Sequence, residues 1–190
     1  MTTKVDKLIK KCRSYRRFDE SRPLDNELVR TFIESARYTP SGANLQKLRF
    51  AVFTDKESCE SIFSTLKFAG YLREWAGPDV GERPTAYIVI CSDSELNTLT
   101  AIDLGISAEA IMLTAADVGV GGCMFRSFDP DVISGVINVH GMVPHMVLAL
   151  GYPTETVIVE DATSGDIKYY RDSKDRHIVP KLTMDTLMLN

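Results

Sequence analysis

The chain has 190 residues, of which 44% are hydrophobic, and its formal net charge at pH 7 is −4. This length and apolar content are typical of a single globular domain with its own core. The acidic balance argues against a nucleic-acid surface, which would need an excess of basic side chains.

The N-terminal segment combines an amphipathic stretch with a dense basic motif. Residues 5–11 place their apolar side chains on one face of a predicted helix. RSYRRF at 13–18 then carries three guanidiniums in six residues. If the helix continues, Arg13 and Arg16 point the same way, which suits a phosphate or another oxygen-rich anion. A solvated basic helix end, favoured by the helix dipole, is the alternative interpretation.

A second helix is predicted over residues 25–37, with Asp25 as its N-cap and one apolar stripe facing inwards. It ends before Pro40, because the residue preceding a proline avoids the helical region. The segment PSGANLQ at 40–46 is either a binding loop or an ordinary connection. Gly42 would let its backbone approach a ligand closely. Its polar donors and acceptors are Ser41, Asn44 and Gln46.

The middle of the chain is predicted to form a strand, a helix, a loop and a second strand. Strands are predicted over 49–54 and 86–91, the second one continuously apolar and therefore buried. The intervening helix is predicted over 56–71. Residues 75–84 are predicted to form a loop, because glycine and proline interrupt regular structure there. This loop is either a lid or a connection. The helix is expected to pack inwards through Ile62, Phe63, Leu66 and Phe68.

A long helix predicted over residues 99–118 is apolar nearly all the way round. Such a helix lies either at the centre of the core or at an oligomer interface. Its acidic residues, Asp103, Glu109 and Asp117, need partners if they are buried. The glycines that follow end the helix, with Gly119 at its C′ position.

The last third of the chain contains two more predicted strands and a charged tail. A strand is predicted over 123–126, and a buried strand covers 143–151. Between them, Asp129-Pro130 caps a short helix, with the proline at its first position. Residues 157–159 are short and extended. The tail at 168–181 has too few apolar residues to build a core alone, so we expect it to reach across a neighbouring surface.

Motifs of several other enzyme classes are absent. GVGGCM follows a helix and lacks the last glycine of the dinucleotide-binding fingerprint, and no phosphate-binding P-loop occurs. His140 and His145 do not form a zinc motif, and no nucleophile–histidine–acid set can be identified. Anion-binding and amide-rich chemistry remains, which suits a protein whose cofactor performs the difficult step.

Cysteine usage and the absence of targeting signals suggest a compartment. The first eleven residues lack the apolar core of a signal peptide, and we expect no apolar run to approach the length of a membrane span. The cysteines lie far apart without a CxxC motif, which argues against zinc ribbons and thioredoxin-like chemistry. We therefore expect reduced thiols and a cytoplasmic protein without membrane association.

Four stretches, in this order and spacing, resemble the nitroreductase family of FMN-dependent oxidoreductases. They are RSYRRF (13–18), TPSGANLQ (39–46), GISAEAIMLTAADVGVGGCMFRSFD (105–129) and LALGYP (148–153). The resemblance implies an α+β fold with a mixed β-sheet flanked by helices, in an intertwined homodimer. One FMN would lie in each of two interface clefts. A single domain would cover residues 1–190, with the tail from about 154 to 190 extending over the partner subunit.

The same resemblance implies a set of cofactor-binding residues. The first motif would hold the phosphate, the ribityl chain and the ring edge, whereas the second would reach FMN from the partner subunit. The family often has arginine where this chain has Cys12. Residues 124–127 would present a backbone N–H to flavin N5, and the tail would supply a phosphate-binding base. The implied residues are Arg13, Ser14, Arg16, Pro40, Ser41, Gly42, Asn44, Met124, Phe125, Arg126, Ser127, His177 and Lys181.

The implied activity is transfer of a hydride from NADH or NADPH to flavin N5 and on to a nitroaromatic, a quinone or a similar acceptor. No catalytic residue or metal is required, and Arg16 is expected to stabilise negative charge at flavin N1 and the C2 carbonyl. Phe68, Tyr71 and Trp75 would set the acceptor pocket. The alternatives are a specialised flavin enzyme on the same scaffold, such as a dehalogenase or dehydrogenase, and a flavin-binding protein without turnover.

Overall fold

A four-stranded antiparallel β-sheet between two layers of helices forms the centre of the protein. The computed structural model describes residues 3–162 and 165–189. The strands are β1 (Arg49–Phe53), β2 (Ala86–Ser92), β3 (Gly121–Phe125) and β4 (Val143–Gly151), in the spatial order β1-β2-β4-β3. The helices in these ranges are α1 (Lys4–Lys11), α2 (Asn26–Arg37), α3 (Lys56–Thr65), α4 (Thr98–Asp117), α5 (Pro130–Ile137) and α6 (Met184–Leu187). This is the α+β class that the sequence predicts.

Side chains along the two central strands, β2 and β4, point alternately to the two faces of the sheet, so each face carries a hydrophobic core. On one face, Ile88 and Leu148 pack against α2 and α4. On the other, Tyr87 and Val147 pack against α3 and α5. Successive side chains of a strand point to opposite faces, which is why an unbroken apolar run serves both cores. Each fully buried large apolar side chain contributes about 1.5–3 kcal/mol.

Helix α4 begins and ends at residues that the sequence marks. The Asn97 side chain accepts the backbone N–H of Thr100 at 3.0 Å, which caps the first turn. At the other end, Gly119 has φ +86°, and its N–H donates to the carbonyl of Ala116 at 3.2 Å. The N–H of Val120 donates to the carbonyl of Ala115 at 3.0 Å. This pair of bonds is a Schellman motif and confirms Gly119 at the C′ position.

The apolar character of α4 corrects one expectation. By length and composition it could cross a membrane, since its best window has a mean hydropathy of 1.5, so the expectation that no apolar run approaches this length is wrong. Half of that window is buried inside the protein. The core helix of a globular protein meets the same criterion, and within the described residues α4 packs against α2 and the sheet.

The predicted helix over residues 56–71 is too long. Helix α3 ends at Thr65, because Leu66 is extended and the N–H of Lys67 donates to the carbonyl of Ser127 at 3.1 Å. Phe68 nevertheless packs inwards as expected, edge-on to Phe125 with a centroid distance of 4.9 Å. The strand predicted from residue 123 begins earlier, at Gly121.

The C-terminal segment forms a small second sheet that the sequence does not predict. Its strands are β5 (Val157–Asp161), β6 (Tyr170–Arg171) and β7 (His177–Lys181), in the order β5-β7-β6. β5 pairs with β7 in parallel and β6 pairs with β7 antiparallel, so this sheet is mixed. It packs against the RSYRRF segment of the same chain. The predicted extension of residues 154–190 over a partner subunit stays a prediction.

RSYRRF is an extended segment laid on the edge of the central sheet. The predicted helical continuation is wrong, because α1 ends at Lys11 and Cys12 is extended. The N–H of Tyr15 donates to the carbonyl of Gly122 at 2.9 Å. A Cβ at Gly122 would lie 2.5 Å from the carbonyl oxygen of Ala149, so this position requires glycine.

Gly122→Ala should lower the free energy of unfolding by about 1–3 kcal/mol, because the added methyl meets rigid backbone. The matched control is Gly135→Ala in α5, where a Cβ meets nothing within 4 Å. It should raise stability by about 0.5–1 kcal/mol through helix propensity. Urea unfolding measures both, and equal midpoints for Gly122→Ala and the wild type would contradict the packing described.

Candidate functional site

One cavity of about 360 Å³ brings together most of the predicted basic residues. It lies between the end of α1, helix α4, strand β3 and the C-terminal sheet. Sites for small organic ligands have volumes of about 300–1,000 Å³. The lining residues are Cys12, Arg13, Ser14, Arg16, Glu109, Met112, Met124, Val157, Tyr169, His177, Val179 and Lys181.

Arg16 is a buried cation in the cavity wall, with only 8% of its surface exposed. Its Nη1 donates to the carbonyl of Ser14 and contacts His177 Nε2, both at 3.1 Å. Its Cζ lies 5.1 Å from the centre of the Tyr169 ring. Within the described ranges no carboxylate pairs with its guanidinium, and its Nε lacks an acceptor. A buried charge of this kind is costly unless an anion neutralises it.

Nearby carboxylates are occupied by other groups. The Glu155 side chain, 2% exposed, pairs with Arg171 Nη2 at 2.9 Å and accepts the backbone N–H groups of Arg16 and Arg17. Asp175 pairs with both Arg17 and Arg171. These contacts join the C-terminal sheet to RSYRRF and fix the backbone of Arg16, while its guanidinium charge stays uncompensated.

His177 is the polar neighbour of that guanidinium and is 1% exposed. Burial, followed by the positive charges of Arg16 and Arg171, lowers the pKa of His177 from 6.5 to about 4. The ring is therefore neutral near pH 7. The sequence proposes His177 as a phosphate-binding base, but a neutral imidazole adds no positive charge to the cavity.

Two further cations line the cavity. Arg13 Nη2 donates to the carbonyl of Ile9 at 3.1 Å, and Lys181 is exposed at the end of β7. Glu109 lies at the same cavity, where burial raises its carboxyl pKa and Arg13 opposes the shift. Burial also raises the pKa of the Cys12 thiol to about 11, so Cys12 is uncharged. Arginine and lysine elsewhere must supply any phosphate-binding charge.

The remaining wall is apolar and suits a flat ring. Met112 and Met124 come from α4 and β3, whereas Val157 and Val179 come from the C-terminal sheet. The methionine thioether adapts to aromatic surfaces. The donor set and the wall together fit a planar aromatic ligand that carries a phosphate, such as FMN.

The predicted loop at 40–46 lies apart from this cavity on the same chain. Ser41 Oγ donates to Asp103 Oδ2 at 2.6 Å, and the Gly42 N–H donates to Asp103 Oδ1 at 2.9 Å. Asp103 therefore has the partners that its burial requires. Ala43, Asn44 and Gln46 adopt positive φ. Neither Pro40 nor the rest of the loop lines the cavity, and their reach to a partner subunit's FMN stays a prediction.

Other predicted residues divide between the cavity, the core and the surface. Met124 lines the cavity, but the Phe125 side chain belongs to the opposite core. Arg126 and Ser127 are exposed beyond the end of β3. No side chain of the predicted acceptor pocket lines the cavity: Phe68 packs in the core, and the Trp75 ring contacts the guanidiniums of Arg17 and Arg171.

Tyr71 is the member of the predicted acceptor pocket that approaches the cavity. Its ring packs on that of Tyr169 at a centroid distance of 4.9 Å, and Tyr169 in turn packs on His177 at 5.1 Å. Tyr169, Val157, Val179 and Glu155 belong to the site but are not predicted from the sequence. Only Val157 has a local signal, the short extended run over 157–159, which predicts a strand but not its place in the fold.

Comparisons with known proteins identify relatives of this chain. A model of the nitroreductase family matches residues 9–152. A relative from Methanothermobacter thermautotrophicus, provisionally named an NADH dehydrogenase/NAD(P)H nitroreductase, is 26% identical over 174 residues, which cover 86% of this chain and 86% of that protein.

Solved structures show the same fold. A nitroreductase family protein from Streptococcus pneumoniae has a TM-score of 0.69 at 18% identity, covering 98% of this chain and 100% of that chain. An FMN-dependent nitroreductase from Mycobacterium smegmatis, solved with NADPH, has a TM-score of 0.63 at 20% identity, covering 79% of this chain and 87% of that chain.

His177 should make the protein less stable in acid. The unfolded state binds a proton near pH 6.5 but the folded state only near pH 4, so the free energy of unfolding falls as the pH drops through this window. His177→Gln should remove up to about 1.4 kcal/mol per pH unit from that slope, the value for one proton. Urea unfolding from pH 7 to pH 4 measures it. The exposed control His140→Gln should keep the wild-type slope; an identical slope in His177→Gln would contradict the assignment.

Proposed function

This chain belongs to the nitroreductase family, and we propose that it transfers a hydride from NADH or NADPH, through FMN, to a nitroaromatic, a quinone or a similar acceptor. Membership makes it an NAD(P)H-dependent oxidoreductase with FMN as its cofactor. The observation that carries the proposal is Arg16, a buried guanidinium without a carboxylate partner in the described chain, in the wall of a cavity of suitable size.

Different lining residues would bind different parts of the cofactor. Arg13 and Lys181 would bind the phosphate, and Arg16 would stabilise negative charge beside the ring. Met112 and Met124 would contact the ring through their thioethers. When bound, FMN supplies the redox chemistry by accepting a hydride at N5 and passing electrons to the acceptor. The chain itself binds and orients, which agrees with the absence of a catalytic acid–base set from the sequence.

We propose a homodimer because α4 leaves an apolar stripe in solvent. Leu99, Ile102 and Ile106 lie on one face of the helix, and Ile102 is 54% exposed. Apolar side chains near the C-terminus, Leu187 and Leu189, are also exposed. Single exposed side chains are normal, but a row of them beside the 40–46 loop supports an interface. In the proposed dimer the loop completes the partner's cleft and residues 154–190 extend over the partner.

We also propose that residues 1–190 form a single domain. Among the described cysteines, Cys12, Cys59, Cys91 and Cys123 are all free thiols. Free thiols, three of them buried, agree with the proposed cytoplasmic location.

Arg16→Ala should weaken FMN binding about ten- to a hundredfold, because about 1.5–3 kcal/mol of charge-assisted hydrogen bonding is lost. It should also lower the midpoint potential of bound FMN, since a cation beside the ring is removed. Fluorescence titration and spectroelectrochemistry measure the two quantities. Arg37→Ala is the matched control, because Arg37 is exposed and paired with Glu34 at 2.6 Å. An unchanged affinity and potential in Arg16→Ala would refute the assigned role.

Mixing two defective subunits tests the shared cleft. One carries Ser14→Ala and Arg16→Ala; the other carries Asn44→Gly, which keeps the positive φ of 54° without the amide. Each mixed dimer should regain one functional cleft, because both defects fall in the other cleft. FMN binding after subunit exchange measures the recovery, with each variant alone as control. Dimers that exchange subunits but regain no binding would contradict a site built from two chains.

A further inference from the structure

The contact between Arg16 and His177 fixes the protonation of the imidazole. A guanidinium can only donate hydrogen bonds, so His177 Nε2, 3.1 Å from Arg16 Nη1, must present its lone pair. A neutral ring then carries its proton on Nδ1. The His177 Nδ1 has no partner within the described chain, so no neighbouring acceptor determines this tautomer. Arg16 alone selects it.

The surroundings of His177 contain cations and an aromatic ring. Arg16 and Arg171 act on it electrostatically, and the Tyr169 ring lies 5.1 Å away. The carboxylates of Glu155 and Asp175 are engaged by Arg171, Arg17 and backbone N–H groups. A carboxylate at position 177 would satisfy Arg16 better than imidazole does, but it would also cancel the charge that faces the cavity.

We propose that His177 is a positioning residue: through a lone pair on a neutral ring it orients Arg16 without neutralising it, so that the cavity selects a phosphate-bearing flavin over an uncharged one. The inference rests on the proposed function for the identity of the ligand. It replaces the sequence-based role of His177 as a phosphate-binding base. Its structural content, the tautomer and the uncompensated cation, stands independently of FMN.

The tautomer can be measured on the full-length protein without any ligand. Long-range ¹H–¹⁵N NMR separates protonated from unprotonated ring nitrogens, and the chain has only three histidines, so His177→Gln assigns the signal. At pH 7 we expect a protonated Nδ1 and an unprotonated Nε2 in His177. A proton on Nε2, or on both nitrogens, would overturn the proposal whatever the protein binds.

Binding of FMN and of riboflavin then tests the consequence. His177→Gln keeps a neutral acceptor and should hold both affinities within about threefold. His177→Glu should weaken FMN about tenfold or more while riboflavin changes less than about threefold. The added carboxylate cancels positive charge in the cavity, whose field acts on the phosphate dianion of FMN but not on uncharged riboflavin. His140→Glu adds the same charge at an exposed position and should leave both affinities unchanged.

The remaining outcomes are also decisive. His177→Glu with wild-type FMN affinity, or variants that lose both ligands equally, would assign His177 a merely structural role and overturn the proposal. FMN loss in His177→Gln equal to that in His177→Glu would do the same. If the wild type binds neither flavin, the proposed function fails, but the tautomer still decides the role of His177. Should the glutamate variant not fold, the NMR result and His177→Gln decide alone.

Discussion

A buried guanidinium without a carboxylate partner is the constraint on which the site depends. Desolvation of a charge costs several kcal/mol even after relaxation, and proteins usually offset it with an ion pair. In the described chain Arg16 has instead a carbonyl, a neutral imidazole and an aromatic ring. Such an arrangement is stable at moderate cost only if a ligand brings negative charge. The side chain is therefore evidence for an anion before any ligand is considered.

The fold holds this charge in place through contacts that are far apart in sequence. Gly121 lets RSYRRF lie directly on the edge of the sheet, because a Cβ at that position would meet the Tyr15 ring at 2.6 Å. Glu155 accepts two backbone N–H groups of the same segment from the opposite side. Arg16 is thus held between the central sheet and the C-terminal sheet, with little freedom to swing towards solvent. Preorganised charge of this kind stabilises a ligand without reorganisation on binding.

Features with a local cause could be predicted from the sequence, and features with a distant cause could not. The helix stop at Gly119 depends on one residue's φ, and the basic motif and the 40–46 loop are contiguous. The Arg16–His177 contact, in contrast, joins residues 161 positions apart. Helix α3 ends early because Lys67 bonds to Ser127, which no local propensity encodes. The C-terminal sheet depends on the parallel pairing of β5 with β7. This contact is non-local, and the amino-acid composition of the tail does not indicate it.

Helix α4 explains why one chain would provide only part of each cleft. Its residues Glu109 and Met112 line the cavity, whereas Asp103, about 9 Å earlier along the helix, holds the 40–46 loop. That loop does not reach the cavity of its own chain, although its donors suit a flavin. The exposed row of Leu99, Ile102 and Ile106 runs along the same half of the helix as Asp103. In the proposed dimer, a two-fold contact along this row brings the loop of each subunit towards the other's cavity, so α4 serves its own cleft with one end and the partner's with the other.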